Sequence, residues 1–467
     1  MGELDDELNV LLERGRKAVK LAVKLGADEA DVYLISDIAT SIEIENGSVN
    51  FSEKSTDNGI GLRVLKDGHV GFSYCTAEQE LESTLKKALT VAKFSKKIEF
   101  NLPTPESAGK IPKIDKLFDK RILDLEAQAG LDMSKVLLQS AEEVHEDINI
   151  SGGGIGFGYD ITALVNSAGL EAGYYGTGIG ASLSTVIQED EDDVAGQGFE
   201  AFGSNMHEID LNKIGRTAAE LAVKSLKPVS IEGGELTVVF HPFSFSSLLE
   251  FTVIPSIYGE PVHKGESVYS DKKDQMVSAE NVSLYDDPTV PGGIGSAPID
   301  DEGLSSRRTV LIESGVLKNF LYDIATAAEF GQEPTGSGIR AERWDTSSDY
   351  HALPDTVARS IYLETKTTNF DDLIADISDG IFVYSIMGAH TANMVSGDFS
   401  VNSPTLFQIK NGELGKPCKP VMLSGNMPEL MHSITGMADD FRMVDGDFHP
   451  TVINLGSVRV EKVKVTT

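Results

Sequence analysis

The sequence predicts an α+β protein with two domains, an N-terminal α/β domain over residues 1–228 and a C-terminal β-rich domain over residues 229–467. The first half twice shows a long helix, glycine-punctuated strands and a closing helix. Beyond a Pro- and Gly-containing stretch at 228–234, short β-like runs with turn signals dominate. These turn signals between neighbouring runs favour mostly antiparallel sheets.

The first unit of the N-terminal domain begins with an amphipathic helix. Apolar residues recur at helical spacing over 8–25. Strand-like segments follow, and Asn46-Gly47 and Asp67-Gly68 between them are strong hairpin signals. A further helix is predicted to close this unit.

A second unit of the same order follows. It has a helix near 124–145, Gly-rich strands between 148 and 202, and a helix at 208–225. This recurrence suggests an internal duplication of residues 1–100 and 117–228. The alternative is ordinary alternation of helices and strands.

The C-terminal domain opens with a buried strand at 236–240 that turns at His241-Pro242 into a helix. Proline suits the first helical position because its missing N–H would have no helical partner there. The polar segment 271–306 is long for a loop, which predicts a functional or disordered connection. Further strands are predicted at 308–312, 315–321, 359–364, 380–387, 396–402, 404–410 and 451–464.

Composition limits the function classes. The 467 residues carry a formal net charge of −33 and a pI near 4.6, which disfavours nucleic-acid binding because that requires a basic surface. Cys75 and Cys418 form no CxxC pair, which indicates a reducing compartment and no Cys-ligated metal. The acidic N-terminus lacks the order of a signal peptide, and no apolar run is long enough for a membrane span. We expect a cytoplasmic protein without membrane contact.

The histidines give little sign of a metal site. Among the nine, none is spaced i,i+3 or i,i+4, so no helix face offers two imidazoles. His241, His263 and His390 remain candidates that the fold could bring together. The alternative is that each is an ordinary core or surface histidine.

The sequence contains Gly-rich runs that resemble nucleotide-binding loops and an acidic run that resembles a cation site, but both have simpler structural explanations. The Gly-rich runs 152–158 and 173–180 lie inside β-like stretches, where a dinucleotide fingerprint would need a helix to open. Glycine in strands more often marks bulges or close packing. The acidic run 188–193 lacks the spacing of a Ca²⁺ loop and is predicted to be a solvated hairpin tip.

Two Gly-punctuated loops, at 388–400 and 335–344, are candidates for holding extended peptide backbone, because loops on a β scaffold commonly carry binding residues. The alternative for both is tight-turn architecture. The candidate peptide-binding residues are His390, Thr391, Asn393, Ser396, Gly397, Asp398, Arg340 and Arg343.

Long ordered stretches of the sequence resemble the TldD/PmbA family, whose members carry the label modulator of DNA gyrase. In the first half the resemblance rests on Gly59-Ile-Gly-Leu-Arg-Val and Asp67-Gly-His-Val-Gly-Phe. In the second half it rests on the stretches at 305–323, 391–400 and 409–417, and it covers nearly the whole chain.

The resemblance implies a fold and a partnership. It implies an α/β N-terminal domain and a C-terminal domain built on a curved antiparallel sheet. TldD-type subunits carry His-Glu-x-x-x-His, which binds zinc together with a later Cys. PmbA-type (TldE) subunits lack that motif and pair with TldD to form a peptidase that degrades unfolded peptide and matures small peptide products.

This chain departs from the zinc motif. His241 matches the first His, but Pro242 stands at the Glu position and Ser246 at the second His, and no Cys occurs within 439–450. Zinc hydrolysis needs about three protein ligands and a base for the bound water. The resemblance therefore implies a PmbA/TldE-type subunit with no metal or catalytic residue of its own, with zinc expected in a TldD-like partner.

The predicted function is that of a non-catalytic subunit of a TldD/TldE-type metallopeptidase, acting on extended, unfolded peptide as part of a heterodimer. Two alternatives stay open. One is an autonomous metallohydrolase with atypical ligands, and the other is a non-enzymatic peptide-binding homodimer. Any link to DNA gyrase is expected to be indirect because the acidic chain offers no evident DNA surface.

Overall fold

The computed structural model describes residues 2–188, 195–341, 349–447 and 449–467. Within these ranges the chain combines helices with largely antiparallel sheets, which confirms the α+β prediction. The helices are α1 (Gly2–Leu25), α2 (Leu81–Ala92), α3 (Lys120–Leu123), α4 (Ala127–Glu142), α5 (Leu211–Lys224), α6 (Pro242–Phe251), α7 (Val253–Ser256), α8 (Gly259–Lys264), α9 (Ile324–Phe330), α10 (Phe370–Ile374) and α11 (Met427–His432). None of these described helices is long and apolar enough to cross a bilayer.

The strands fall into two groups along the chain. The N-terminal strands are β1 (Glu29–Glu45), β2 (Ser48–Lys66), β3 (His69–Cys75), β4 (Asn149–Asn166), β5 (Glu171–Ile187) and β6 (Gly196–Ser204). The C-terminal strands are β7 (Gly234–Phe240), β8 (Ser283–Asp286), β9 (Thr309–Glu313), β10 (Val316–Leu317), β11 (Gly338–Arg340), β12 (Pro354–Thr356), β13 (Ser360–Glu364), β14 (Thr367–Thr368), β15 (Asp379–Met387), β16 (Asp398–Lys410), β17 (Glu413–Pro417), β18 (Val421–Asn426), β19 (Ile434–Ala438), β20 (Arg442–Asp445), β21 (Val452–Leu455) and β22 (Val458–Thr466).

The N-terminal strands form one antiparallel sheet in the order β3-β2-β1-β4-β5-β6. Both predicted hairpins are present. Asn46 and Gly47 have φ of 48° and 72°, and Asp67 and Gly68 have φ of 53° and 78°. Positive φ at both central residues is the requirement of a type I′ turn, which Asn-Gly and Asp-Gly meet at low cost.

The long helices of the N-terminal half lie on one face of this sheet. Alternate residues of β1, such as Ala30, Val32 and Leu34, share a core with residues of α1 and α2. Ile155 and Phe157 of β4 share a second core with residues of α4 and α5. The order helix, three strands, helix occurs twice, centred on the β1–β4 pair. The opposite sheet face carries the intervening residues and faces the C-terminal half.

The C-terminal half contains a curled eight-stranded sheet and a second six-stranded sheet. In the first, β7 pairs in parallel with β15 and also antiparallel with β22, so that β7, β15, β16, β18 and β22 close into a ring. The second sheet has the order β10-β9-β8-β13-β21-β20. Their shared apolar core includes Val238, Phe240, Val383, Leu423 and Val460.

Several predicted boundaries were wrong. The segment 271–306 is not a free loop: it contains β8, and Val282, Leu284 and Glu302 are all buried. The strands predicted on either side of Ser403 form the single strand β16. Pro404 fits there because β15 is irregular opposite it, so no ladder hydrogen bond from its nitrogen is required.

Candidate functional site: the groove between the two halves

A buried network of charges joins the helix-free face of the N-terminal sheet to the C-terminal half. Arg63 of β2 donates to Asp31 of β1, and its Nη1 lies 2.7 Å from the Glu302 Oε1. Arg340 Nη2 lies 3.4 Å from the second Asp31 oxygen, and Arg340 Nη1 donates to the Ala352 carbonyl at 3.0 Å. Charges so deeply buried are tolerated only when paired, so this network fixes how the two halves meet.

A groove of about 910 Å³ lies between the N-terminal sheet and α6. Strands β1, β4, β5 and β6 form its floor. Its other wall comes from α6, from Ser385 and Ile386 of β15, and from the stretch 443–447 around the end of β20. Strands β6 and β20 are each at the edge of their sheet, so two strand edges border the groove.

Part of the groove floor is formed by glycine. On the face turned to the groove, β4 and β5 place glycine opposite glycine, with Gly156 paired to Gly180 and Gly158 to Gly178. A Cβ added at Gly156 or Gly178 would meet no atom within 4 Å, which means that space lies above them. The Gly-rich runs thus lie in strands, as predicted. Gly158 packs closely, since a Cβ there would lie 2.2 Å from the Ile38 carbonyl oxygen, whereas Gly156 leaves room for a ligand close to the sheet backbone.

Helix α6 turns one stripe of side chains to the groove. Phe243, Ser246, Ser247 and Glu250, spaced at i, i+3, i+4 and i+7, line the groove, whereas Phe245 lies in the apolar core of the C-terminal half. The helix begins as the sequence predicts, with Pro242 at its first position. The stretch that follows β7 is therefore part of the groove wall.

His241 is a buried N-cap of α6. Its Nδ1 accepts the backbone N–H of Phe243 at 3.3 Å, and its ring stacks on Tyr384 with centroids 4.1 Å apart. Burial, with a smaller contribution from Arg442, holds the pKa of the His241 imidazole well below 6.5. The ring is therefore neutral at pH 7 and is used as a packing and capping group.

A second polar cavity of about 470 Å³ adjoins the groove and shares the lining residues Asp445, Gly446 and Asp447. Burial raises the pKa of Asp445, and burial together with the Glu250 charge raises that of Asp447. Arg359, paired with Asp301 at 3.2 Å, is an arginine of the second cavity.

Acidic residues stand side by side under this second cavity. Asp37 lies opposite Asp57 on one side and opposite Asp160 on the other, across β2, β1 and β4. Burial, followed by repulsion from Asp37, raises the pKa of Asp160 to about 6. Burial and the nearby Asp301 raise the pKa of Asp349 to about 7. The two cavities together therefore have an acidic lining.

Comparison with protein families assigns three stretches of the chain to domains of one family. Residues 30–92 match the PmbA/TldA metallopeptidase domain 1, residues 117–226 the central domain, and residues 233–467 the C-terminal domain. The chain belongs to the PmbA/TldD family. The matched ranges cover both strand groups and α6, so the groove is built from family domains throughout.

Relatives of this PmbA/TldD member are similar over nearly their full length. An uncharacterised protein of Methanocaldococcus jannaschii is 29% identical over 91% of this chain and 94% of its own. A metalloprotease TldD homolog of Buchnera aphidicola is 25% identical over 90% of this chain and 87% of its own. The crystal structure of TldE from Thermococcus kodakarensis superposes with a TM-score of 0.88 at 22% identity, over 97% of this chain and 100% of that one, and shows the same fold.

The residues at the zinc-motif positions of this PmbA/TldD member do not fit a zinc site. His241 uses Nδ1 to cap α6, Pro242 has no side-chain donor atom, and the Ser246 hydroxyl donates to the Phe243 carbonyl at 3.1 Å. Among the described residues, no group of three or more His, Cys, Asp or Glu side chains is arranged to hold a metal ion. Zinc prefers imidazole, thiolate and carboxylate ligands in a tetrahedral set, which this donor set does not supply.

The other two histidines proposed as ligands have separate environments. His263 lies on α8, where its Nε2 is 3.1 Å from the Tyr322 hydroxyl and its ring stacks on Phe330. His390 is exposed, and its ring meets the Phe251 ring edge-on at 6.4 Å.

The predicted peptide-binding loop at 388–400 has a compact structure and does not line the groove. Asn393 accepts the backbone N–H of Ser396 at 3.1 Å, and the Ser396 hydroxyl donates to Asp398 at 2.7 Å. Gly397 has a φ of 78°, and Thr391 donates to the Gly388 carbonyl. Such local hydrogen bonds between polar side chains and nearby backbone are typical of tight turns, which is the alternative given for this loop.

The loop at 335–344 contains the two arginine candidates for peptide binding. Arg340 is 0% exposed and belongs to the buried charge network, so its guanidinium contacts the protein interior and not a groove ligand. Arg343 lies outside the described residues, as do most residues of the acidic run 188–193.

Sequence reasoning missed Glu250, although it stands in α6. Its carboxylate is 2% exposed and accepts the backbone N–H groups of Asp447 and His449. Its partner His449 is 199 residues away, so no local pattern connects them. The available signal was a lone glutamate in a stretch of otherwise apolar and hydroxyl side chains.

Proposed function

We propose that this chain is the non-catalytic, TldE-like subunit of a TldD/TldE-type metallopeptidase, and that its groove holds extended peptide for a partner that carries the zinc. The TldD-like partner supplies His-Glu-x-x-x-His, the metal and the bond cleavage. This chain supplies part of the chamber in which unfolded peptide is held.

One observation carries the proposal: the helix that follows β7 faces the groove with a stripe of side chains that contains one carboxylate and no imidazole or thiolate. Phe243, Ser246, Ser247 and Glu250 form that stripe. A hydrolase of this class needs a ligand set and a base at this place. A chamber without them can hold substrate but cannot activate water through a bound metal.

The form of the groove supports an extended peptide as its ligand. Two strand edges, β6 and β20, border it and can offer backbone hydrogen bonds to an added strand. The glycine floor at Gly156 and Gly180 lets a peptide backbone approach the sheet. The volume of about 910 Å³ is at the upper end for a small-molecule pocket and fits a short run of residues.

The test is to purify the chain alone and together with a TldD-like subunit from the same cell. The chain alone should contain no stoichiometric zinc and cleave no unfolded peptide, yet bind a fluorescein-labelled unfolded decapeptide. Stoichiometric zinc with turnover in the chain alone would contradict the proposal. Native affinity purification that recovers no TldD-like chain would favour the peptide-binding homodimer instead.

A further inference from the structure

We propose that Glu250 and His449 form a clamp that holds the loop around Gly446, described at residues 445–447 and 449–450, against α6 and thereby fixes the wall of the groove. The consequence for peptide binding rests on the proposed function, whereas the clamp itself does not. Glu250 is in this sense a positioning residue, since it acts on a ligand only through the loop.

The carboxylate of Glu250 gathers contacts from one short loop. Its Oε2 accepts the backbone N–H of Asp447 at 2.9 Å, and its Oε1 accepts the backbone N–H of His449 at 3.2 Å. The His449 Nδ1 lies 3.0 Å from the same Oε1. Both side chains are nearly enclosed, with 2% of Glu250 and 10% of His449 exposed. Hydrogen bonds accepted by a carboxylate are among the stronger ones in proteins.

Two further contacts from α6 reinforce the same loop. The Ser247 hydroxyl lies 3.4 Å from Asp447 Oδ2, and the Phe251 ring meets the His449 ring at 5.9 Å and 61°. Ser247, Glu250 and Phe251 thus hold the loop from neighbouring positions on α6.

Gly446 shows how closely the loop fits the carboxylate. A Cβ there would lie 3.0 Å from Glu250 Oε1 and 2.6 Å from the His449 carbonyl oxygen. The Gly446 amide also donates to the Thr451 carbonyl at 2.9 Å, which closes the loop on itself. A larger residue at 446 would crowd the His449 carbonyl first and the Glu250 carboxylate second, so the loop would have to shift.

The position of this loop determines the shape of both cavities. Asp445, Gly446 and Asp447 line the groove on one side and the second cavity on the other.

The test compares Glu250→Ala and Gly446→Ala with a control, Glu260→Ala, which removes an exposed i,i+4 ion pair with Lys264 on α8. Hydrogen exchange of the full chain is followed by mass spectrometry, and binding of the labelled decapeptide is measured in parallel. Exchange reports local opening separately from global unfolding.

We expect both test variants to speed exchange at 446–451 at least about tenfold while β4 and β5 exchange as before, because only the loop loses its anchor. Peptide affinity should fall at least about fivefold, and Glu260→Ala should change neither. Unchanged exchange at 446–451 in folded Glu250→Ala or Gly446→Ala would overturn the clamp. Absence of peptide binding by the unmodified chain would instead refute the proposed function. The clamp would then be judged from the exchange result alone.

Discussion

Arg63 of β2 and Glu302, in the segment between β8 and β9, form an ion pair across the two halves of the chain, with Nη1 and Oε1 2.7 Å apart. Their side chains are 3% and 0% exposed. Glu302 also accepts the backbone N–H of Ile324 at 2.7 Å, at the start of α9. A single carboxylate therefore ties the N-terminal sheet to a helix of the C-terminal half.

Replacing Glu302 by Gln should destabilise the protein strongly. The substitution leaves a buried arginine with one partner fewer, a change that costs about 3–5 kcal/mol when a buried pair is broken. Urea unfolding followed by circular dichroism measures it. The control is Glu171→Gln, which breaks the exposed pair with Arg16 and should cost at most about 1 kcal/mol. Equal effects of the two substitutions would contradict this account of the interface.

Asp160 should make the protein less stable as pH rises through the mildly acidic range. Its folded-state pKa is about 6, against an ordinary value of 3.8, because it is buried beside Asp37. Between those two values the folded chain keeps a proton that the unfolded chain releases, so stability present at the acid end is lost as pH rises through about 6.

Asp160→Asn removes this titration, so the variant should lose less stability than the parent between pH 4.5 and 7. The free energy of unfolding at a series of pH values in that range measures the difference. Asp132→Asn on α4 is the control because the pKa of that exposed aspartate is lowered by Lys135. A parent and an Asp160→Asn variant with parallel pH profiles would refute the assignment.

Gly156→Leu should fill the groove without disturbing the fold. A Cβ at 156 meets no atom within 4 Å, so the effect on stability should stay within about 0.5 kcal/mol. The affinity for the labelled decapeptide should fall at least about tenfold, which corresponds to about 1.4 kcal/mol.

Gly198→Ala is the matched change on the helix-covered face of the same sheet. Its Cβ would lie 1.9 Å from the Ala218 carbonyl oxygen of α5, so a destabilisation of about 1–3 kcal/mol is expected. Retained peptide affinity in Gly156→Leu would show that the floor of this groove does not contact the peptide.

The imidazole of His241 should remain neutral down to well below pH 6.5. Its folded pKa is depressed by burial, so its contribution to stability is present above 6.5 and is lost as pH falls below that value. Nuclear magnetic resonance of the histidine ring protons, assigned with His241→Asn, measures the titration. A ring that titrates near 6.5 would contradict its role as a buried cap of α6.

Locally encoded features of the fold followed from the sequence. Helix α1 and the two type I′ hairpins depend on periodicity and on Asn-Gly or Asp-Gly dipeptides within a few residues. The pairing of β22 with β7, which closes the ring, joins segments far apart in the sequence. No local pattern in either strand predicts that pairing. The segment 271–306 was misjudged because its polarity suggested solvent, whereas Glu302 is buried opposite Arg63, 239 residues earlier.

The candidate site was only partly accessible to sequence reasoning. The Gly-rich runs and the strand-to-helix turn at His241 were visible, and both lie at or beside the groove. The small polar residues of the loop at 388–400 predict either a binding loop or tight turns, and in the fold they hydrogen-bond to one another in tight turns. The Glu250–His449 contact depends on the tertiary fold alone.

The most direct measurement of the central claim is zinc content and peptide cleavage in a complex reconstituted from this chain and a TldD-like subunit. The account predicts one zinc per complex, cleavage only when both chains are present, and loss of cleavage when the partner's motif Glu is replaced by Gln. Zinc bound by this chain alone, with cleavage that survives that replacement, would contradict it.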